Sequence, residues 1–107
     1  MIRQMTVAEL RQRLDGPDVK PFLLDVREPG EFAICRIDGS VLIPLGELAQ
    51  RAHELPRDRD IIAICHHGNR SNMAAAWLQQ TKEVEVINLQ GGVAAWAREI
   101  DPSMKQY

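Results

Sequence analysis

The run Cys65-His66-His67-Gly68-Asn69-Arg70-Ser71 places a thiol, two imidazoles, a guanidinium and a hydroxyl in consecutive positions. It follows the apolar stretch Ile61 to Ile64 and leads into a helix-forming segment. A strand, a tight loop and a helix start in that order direct successive backbone N–H groups into a concavity, to which the helix adds roughly half a positive charge. Such a nest solvates an anion. A cysteine at its centre is stabilised as the thiolate, the nucleophilic form, so Cys65 is expected to attack an electrophile. Gly68 and Asn69 are the residue types that most readily adopt left-handed backbone angles, and both are expected to make the reversal. The alternative, an inert buried cysteine, fits poorly beside His66, His67, Asn69 and Arg70.

Arg70 admits two roles. It can meet an anionic substrate, aided by His66 or His67, or it can pair with a carboxylate near the loop. Cys65, His66 and His67 also invite a metal reading, but adjacent residues rarely point at one tetrahedral centre and no fourth ligand is evident. No metal is expected, and the two imidazoles are read as solvated loop side chains. The second thiol, Cys35, forms no CxxC pair with Cys65, and two cysteines are too few for a secreted disulfide framework.

The elements that must hold this loop follow from periodicity and punctuation. Thr6-Val7-Ala8-Glu9 fits a capping box, and Val7, Leu10 and Leu14 continue it as one helical stripe over about Val7 to Leu14. Phe22 to Val26 is apolar on both faces, as a strand buried between helices should be. Pro29 can begin a short helix to Ile34 without losing a needed N–H. Val41-Leu42-Ile43 reads as a strand, Pro44 opens a helical stretch to Leu55, and Ile61 to Ile64 is a further strand. Ser71 to Gln80 reads as a helix, Val84 to Ile87 as a strand, and Gly91-Gly92 precedes a last helix near Val93 to Arg98. Trp77 and Trp96 are expected to fill core volume, while Glu83 and Glu85 face water.

Short two-sided strands alternating with helices predict an α/β fold, with a mainly parallel sheet of about five short strands covered by helices on both faces. Sites in such sheets gather at the carboxyl ends of the strands. Asp25 and Arg27 fall at one such end, where they can brace the cysteine loop by hydrogen bonds or form a local ion pair with Glu28 or Glu31.

The whole chain, 107 residues with 45% hydrophobic and 26% charged, is read as one domain over 1–107. Thirteen Lys plus Arg against fifteen Asp plus Glu give a formal charge of −2, which offers no field for a nucleic-acid backbone or an anionic membrane. The longest apolar runs fall far short of the roughly 20 residues that span a bilayer. The start lacks the apolar segment of a secretory signal, so a cytoplasmic location is expected.

Several segments together resemble the single-domain rhodaneses: Asp25-Val26-Arg27-Glu28-Pro29-Gly30-Glu31-Phe32, the Ile37-Asp38-Gly39-Ser40 turn, Ile43-Pro44-Leu45, the Cys65 to Ser71 loop, and Asn88-Leu89-Gln90-Gly91-Gly92-Val93-Ala94-Ala95-Trp96. The match runs in order from about Pro21 to Trp96. The resemblance implies a rhodanese-like fold and a sulfurtransferase. In that family the loop cysteine, here Cys65, takes sulfane sulfur from a small anionic donor such as thiosulfate. It holds the sulfur as a persulfide and passes it to cyanide, a thiol or a thioredoxin-like acceptor. The active-site loop falls on His66 to Ser71, with no cofactor beyond the covalent persulfide. Cys35-Arg36 departs from the family's usual Gly-His, which raises Cys35 as a resolving thiol or simply as an unpaired one.

Two rivals remain in view. A rhodanese-like phosphatase or arsenate reductase has five residues between its cysteine and arginine, whereas four separate Cys65 from Arg70. The smaller ring suits one sulfur atom better than a tetrahedral oxyanion. The other rival is a non-catalytic module that uses the same fold to bind a partner or carry sulfur.

Overall fold

The computed structural model describes all 107 residues. Five strands form one parallel sheet: β1 (Gln4–Met5), β2 (Phe22–Asp25), β3 (Val41–Leu42), β4 (Ile61–Ile64) and β5 (Val86–Leu89), in the spatial order β1-β5-β4-β2-β3. The helices are α1 (Val7–Asp15), α2 (Pro29–Ile34), α3 (Leu48–Arg51), α4 (Asn69–Gln79) and α5 (Gly92–Glu99). The capping box at Thr6 forms as expected. Thr6 Oγ1 accepts from the Glu9 amide at 3.1 Å, and Glu9 Oε1 accepts from the Thr6 amide at 2.8 Å.

Strand alternation sorts the core into two layers. Ile62 and Ile64 of β4 face a cluster with Leu10 of α1 and Val93 and Trp96 of α5, whereas Ile61, Ala63 and Cys65 face Leu48, Ala74, Ala75 and Leu78 of α3 and α4. The sheet is therefore largely apolar on both sides, which is why β4 reads as a continuous hydrophobic run and β2 and β5 each carry a single polar residue, Asp25 and Asn88.

Three expectations are corrected. The strand β1 was not foreseen, because two residues with one side chain exposed carry no period; it exists because Gln4 and Met5 pair with Asn88 and Leu89. The single helix expected from Pro44 to Leu55 is α3 flanked by 3₁₀ turns over Leu45–Glu47 and Ala52–Glu54. Trp77 is 42% exposed rather than core. The inward arc of α4 is formed by Ser71, Ala74, Ala75 and Leu78, small residues for the most part, and Trp77 lies one residue step, about 100°, from Leu78. Trp96, by contrast, is buried.

Four polar or charged side chains are buried: Asp25, Arg27, Ser71 and Asn88. All lie at the carboxyl edge of the sheet. Burying such groups is costly unless their bonding capacity is used, so this edge is where the fold spends polar interactions.

Candidate functional site

Cys65 follows the last residue of β4, and its side chain is buried, with 1% of its surface exposed. The loop beyond it is shaped from behind by α5. Val93 N–H donates to the Cys65 carbonyl and Ala94 N–H to the His66 carbonyl, each at 3.0 Å. Gly92 makes this approach possible: at φ +57°, a Cβ there would stand 2.3 Å from the Cys65 oxygen and 2.5 Å from the His66 oxygen. With those two carbonyls bound to α5, the chain turns back at Gly68, which has φ +108° and caps α4. Gly68 alone supplies the left-handed residue. Asn69, expected to share that task, is already the first residue of the helix, because one reversal needs one such residue.

The Gly68 amide donates to Cys65 Sγ at 3.0 Å. The next three amides, of Asn69, Arg70 and Ser71, form no hydrogen bond within the protein, as first-turn amides of a helix do when no acceptor caps them. The concavity expected from the sequence therefore has one amide on the sulfur and a helix start beside it.

Ser71 Oγ lies 3.2 Å from Cys65 Sγ and 2.5 Å from Asn88 Oδ1. The polarity of this chain follows from a backbone atom. The Gly68 carbonyl can only accept, so the Asn88 atom 3.1 Å from it is the amide nitrogen, which leaves Oδ1 facing Ser71. The Ser71 proton then belongs to Asn88, and a Ser71 lone pair faces the sulfur. A thiol can donate to that lone pair; a thiolate requires the hydroxyl to rotate toward it. Asn88 is in turn held by Gln4 Oε1, which accepts from Nδ2 at 2.8 Å.

Arg70 takes the second of its two roles. Its Nη1 and Nη2 donate to Glu31 Oε1 and Oε2 at 2.7 and 2.9 Å, yet its side chain stays 37% exposed. The Glu31 carboxylate also accepts from the Glu28 amide at 3.0 Å and the Tyr107 hydroxyl at 2.8 Å. The Arg70 bond foremost holds the Glu31 carboxyl down at about 2, well below the usual carboxylate range. Tyr107, pushed up to about 12 chiefly by burial, stays a phenol and a donor.

His66 is not a free solvated side chain. Its ring stacks on His67 and on Tyr107 with both centroid distances 3.9 Å, and burial, followed by the neighbouring His67, lowers its pKa. It therefore favours the neutral form. His67 is exposed, as expected. No group of three or more metal-binding side chains converges.

Asp25 and Arg27 do not bond to the cysteine loop through their side chains. They pair with each other: Arg27 Nε donates to Asp25 Oδ1 at 2.9 Å and Nη2 to Oδ2 at 2.7 Å, with both side chains wholly buried. The reason is strand periodicity. Residues two apart share a face, and Cys65 belongs to the opposite layer. Nor does Arg27 pair with the Glu28 or Glu31 carboxylates; it donates to the Glu31 carbonyl at 3.3 Å, the Cys35 carbonyl at 2.6 Å and the Tyr107 hydroxyl at 2.9 Å. Cys35 is half-buried and unpaired, and it lines a cavity of about 180 Å³ with His66, His67 and Tyr107 on the α5 side.

Three participants at this site are not marked as such by the sequence alone. Asn88 carried a signal, a polar residue inside an apolar strand. Glu31 stands in sequence beside Arg27, and nothing local pairs it with Arg70, 39 positions away. Tyr107 carried none, since it meets Glu31 across 76 positions.

The rhodanese-like domain model matches residues 6–99. The chain belongs to the rhodanese-like family. It is 39% identical over 99 residues to a protein of Allochromatium vinosum named a sulfurtransferase, covering 92% of this chain and 91% of that protein. It is also 39% identical over 95 residues to the putative sulfur carrier protein YrkF of Bacillus subtilis, covering 89% of this chain and about half, 51%, of that protein. The crystal structure of a rhodanese-related protein from Thermoplasma volcanium superposes with a TM-score of 0.83 at 34% identity, over 92% of this chain and 93% of the other. The fold expected from the alternation of elements is the one observed, and this rhodanese-like chain stands among sulfurtransferases and sulfur carriers.

Proposed function

We propose that this rhodanese-like protein is a sulfurtransferase in which Cys65 carries sulfane sulfur as a persulfide. The observation that supports this most is the Gly68 amide donating to Cys65 Sγ at 3.0 Å, beside the uncapped first turn of α4. A thiolate held there attacks the outer sulfur of thiosulfate or a similar small anion. A new sulfur–sulfur bond forms to Cys65, and sulfite leaves with the electron pair of the old one. An acceptor thiolate or cyanide then attacks the terminal sulfur, and the Cys65 thiolate departs. Each half-reaction balances without a redox cofactor, and the two-step course gives ping-pong kinetics.

The chain's own residues divide the work. Gly68 N–H bonds the sulfur, the α4 start favours the negative charge that moves onto the terminal sulfur, and Ser71 can turn its proton toward Sγ as charge develops. Arg70, still partly exposed beside Glu31, presents its remaining N–H groups to the anionic donor.

The test is treatment with thiosulfate followed by intact-mass measurement. One added sulfur atom is expected, lost on adding cyanide or a thiol and absent from Cys65→Ser. The second reading is a sulfur-carrier module, favoured by the identity with the YrkF protein. A protein that takes sulfur from a persulfidated partner but never from thiosulfate belongs to that class. Failure to take up sulfur from either source would leave only a binding scaffold.

A further inference from the structure

Tyr107 connects through side chains two ion pairs whose other link is the bond from Arg27 Nη1 to the Glu31 carbonyl. Its oxygen accepts from Arg27 Nη1 at 2.9 Å and its hydroxyl donates to Glu31 Oε2 at 2.8 Å. On one side is Asp25–Arg27, wholly buried and fixed by further bonds to the Cys35 and Glu31 carbonyls. On the other is Glu31–Arg70, whose side chains are 20% and 37% exposed. Exposed pairs are held weakly because long side chains keep rotamer freedom, whereas buried, fully bonded pairs have one geometry. The hydroxyl is the side-chain bridge through which the buried pair restrains the more exposed one. Glu31 shows the result: Glu28 N–H and Arg70 Nη1 fill Oε1, Arg70 Nη2 and Tyr107 Oη fill Oε2, so the carboxylate has nowhere else to turn.

We propose that Tyr107 is a positioning residue for anionic reagents: acting through Glu31, it sets the Arg70 guanidinium at the mouth of the Cys65 loop. The inference rests on the reading above that an anion reaches Cys65 past Arg70. Its reach is specific. Removing the hydroxyl should weaken attack on anions and leave attack on neutral reagents alone, because the Gly68 and Ser71 contacts to the sulfur do not involve Tyr107. Phenylalanine retains the ring that stacks on His66, so Tyr107→Phe isolates the hydroxyl from the packing.

The experiment compares alkylation of Cys65 by iodoacetate, an anion, with that by iodoacetamide, its neutral counterpart, followed at the Cys65 peptide by mass spectrometry. In Tyr107→Phe the ratio of the two rates should fall about threefold to tenfold, the worth of one hydrogen bond. In Arg70→Gln it should fall at least as far, and combining the two should lower it no further than Arg70→Gln alone. With thiosulfate, the Tyr107→Phe loss should appear in KM and spare kcat. A ratio unchanged in Tyr107→Phe, or rates that fall equally for both reagents, would overturn the proposal, as would an Arg70→Gln variant that keeps the parental ratio. A Cys65 that reacts with neither reagent overturns it as well. If the ratio falls as stated but no sulfur is ever taken up, sulfur transfer fails and the role of Tyr107 stands.

Discussion

Ser71 donates its hydroxyl proton to Asn88 Oδ1 across 2.5 Å while its oxygen lies 3.2 Å from Cys65 Sγ, so the one side chain that bonds the sulfur is oriented by β5, the strand next to the one that leads into Cys65. Ser71→Ala leaves Asn88 Oδ1 buried without a donor and the sulfur with the Gly68 amide as its only hydrogen-bond partner. A loss of about 1–3 kcal/mol in urea unfolding is expected, together with slower sulfur uptake by Cys65 from thiosulfate. An Ser71→Ala protein as stable and as fast as the parent would remove the Ser71–Asn88 link from the site.

The buried ion pair should dominate stability at this edge of the sheet. Asp25→Asn leaves Arg27 charged, buried and short of its counter-ion, and removing one partner of such a pair costs about 3–5 kcal/mol. Because neither side chain bonds to the Cys65 loop, Cys65 of the folded fraction should still react with iodoacetamide at close to the parental rate. Thermal unfolding and alkylation measured on the same sample check both statements.

Gly92 and Gly30 make a matched pair of backbone probes. A Cβ at Gly92 meets the Cys65 and His66 carbonyls and φ is +57°, so Gly92→Ala must displace the loop or α5, at about 2–4 kcal/mol. A Cβ at Gly30 meets nothing within 4 Å, and Gly30→Ala in α2 should be neutral or slightly stabilising. Only the Gly92 change should abolish Cys65 reactivity, as read by alkylation.

Glu31 makes stability depend on acidity in a definite direction. Its carboxyl titrates at about 2 in the folded chain, below its ordinary value, so its contribution is present above the ordinary carboxylate range and is lost as pH falls toward 2. Glu31→Gln should therefore be less stable than the parent near neutrality, by about 1–2 kcal/mol. The two unfolding midpoints should converge as the pH approaches 2. Curves that stay parallel down to that pH would mean that Glu31 does not hold Arg70 as an ion pair.

His66 adds a smaller term of the same sign. With its pKa lowered by burial, the folded chain resists protonating it, so stability from this group is present above the ordinary histidine range and declines as pH falls below it. His66→Phe keeps an aromatic ring for the Tyr107 stack and cannot be protonated. The variant should lose less stability than the parent between pH 7 and pH 5, roughly the range in which an ordinary histidine takes up its proton.

Local rules account for what could be read from the chain before folding. Helix α1 was legible because Thr6 and Glu9 cap it through contacts three residues apart, and α2 because Pro29 can only start a helix where it stands. β2 and β4 were legible because burial on both faces imposes apolar runs, broken only by Asp25 at the end of β2. Cys65 stood out because a strand end, a glycine and a helix start are consecutive in sequence, and so the geometry around the sulfur is itself local. What tertiary structure decided is every pairing between distant segments: β1 against β5, Arg70 with Glu31, Asn88 with Ser71, and Tyr107 over His66. Those contacts depend on which face of the sheet each side chain takes and on which strand lies next to which. Periodicity within one segment assigns its inward and outward faces. It says nothing of what waits on the other side, and so Asp25 and Arg27, alike in position to a loop brace, became each other's partners instead.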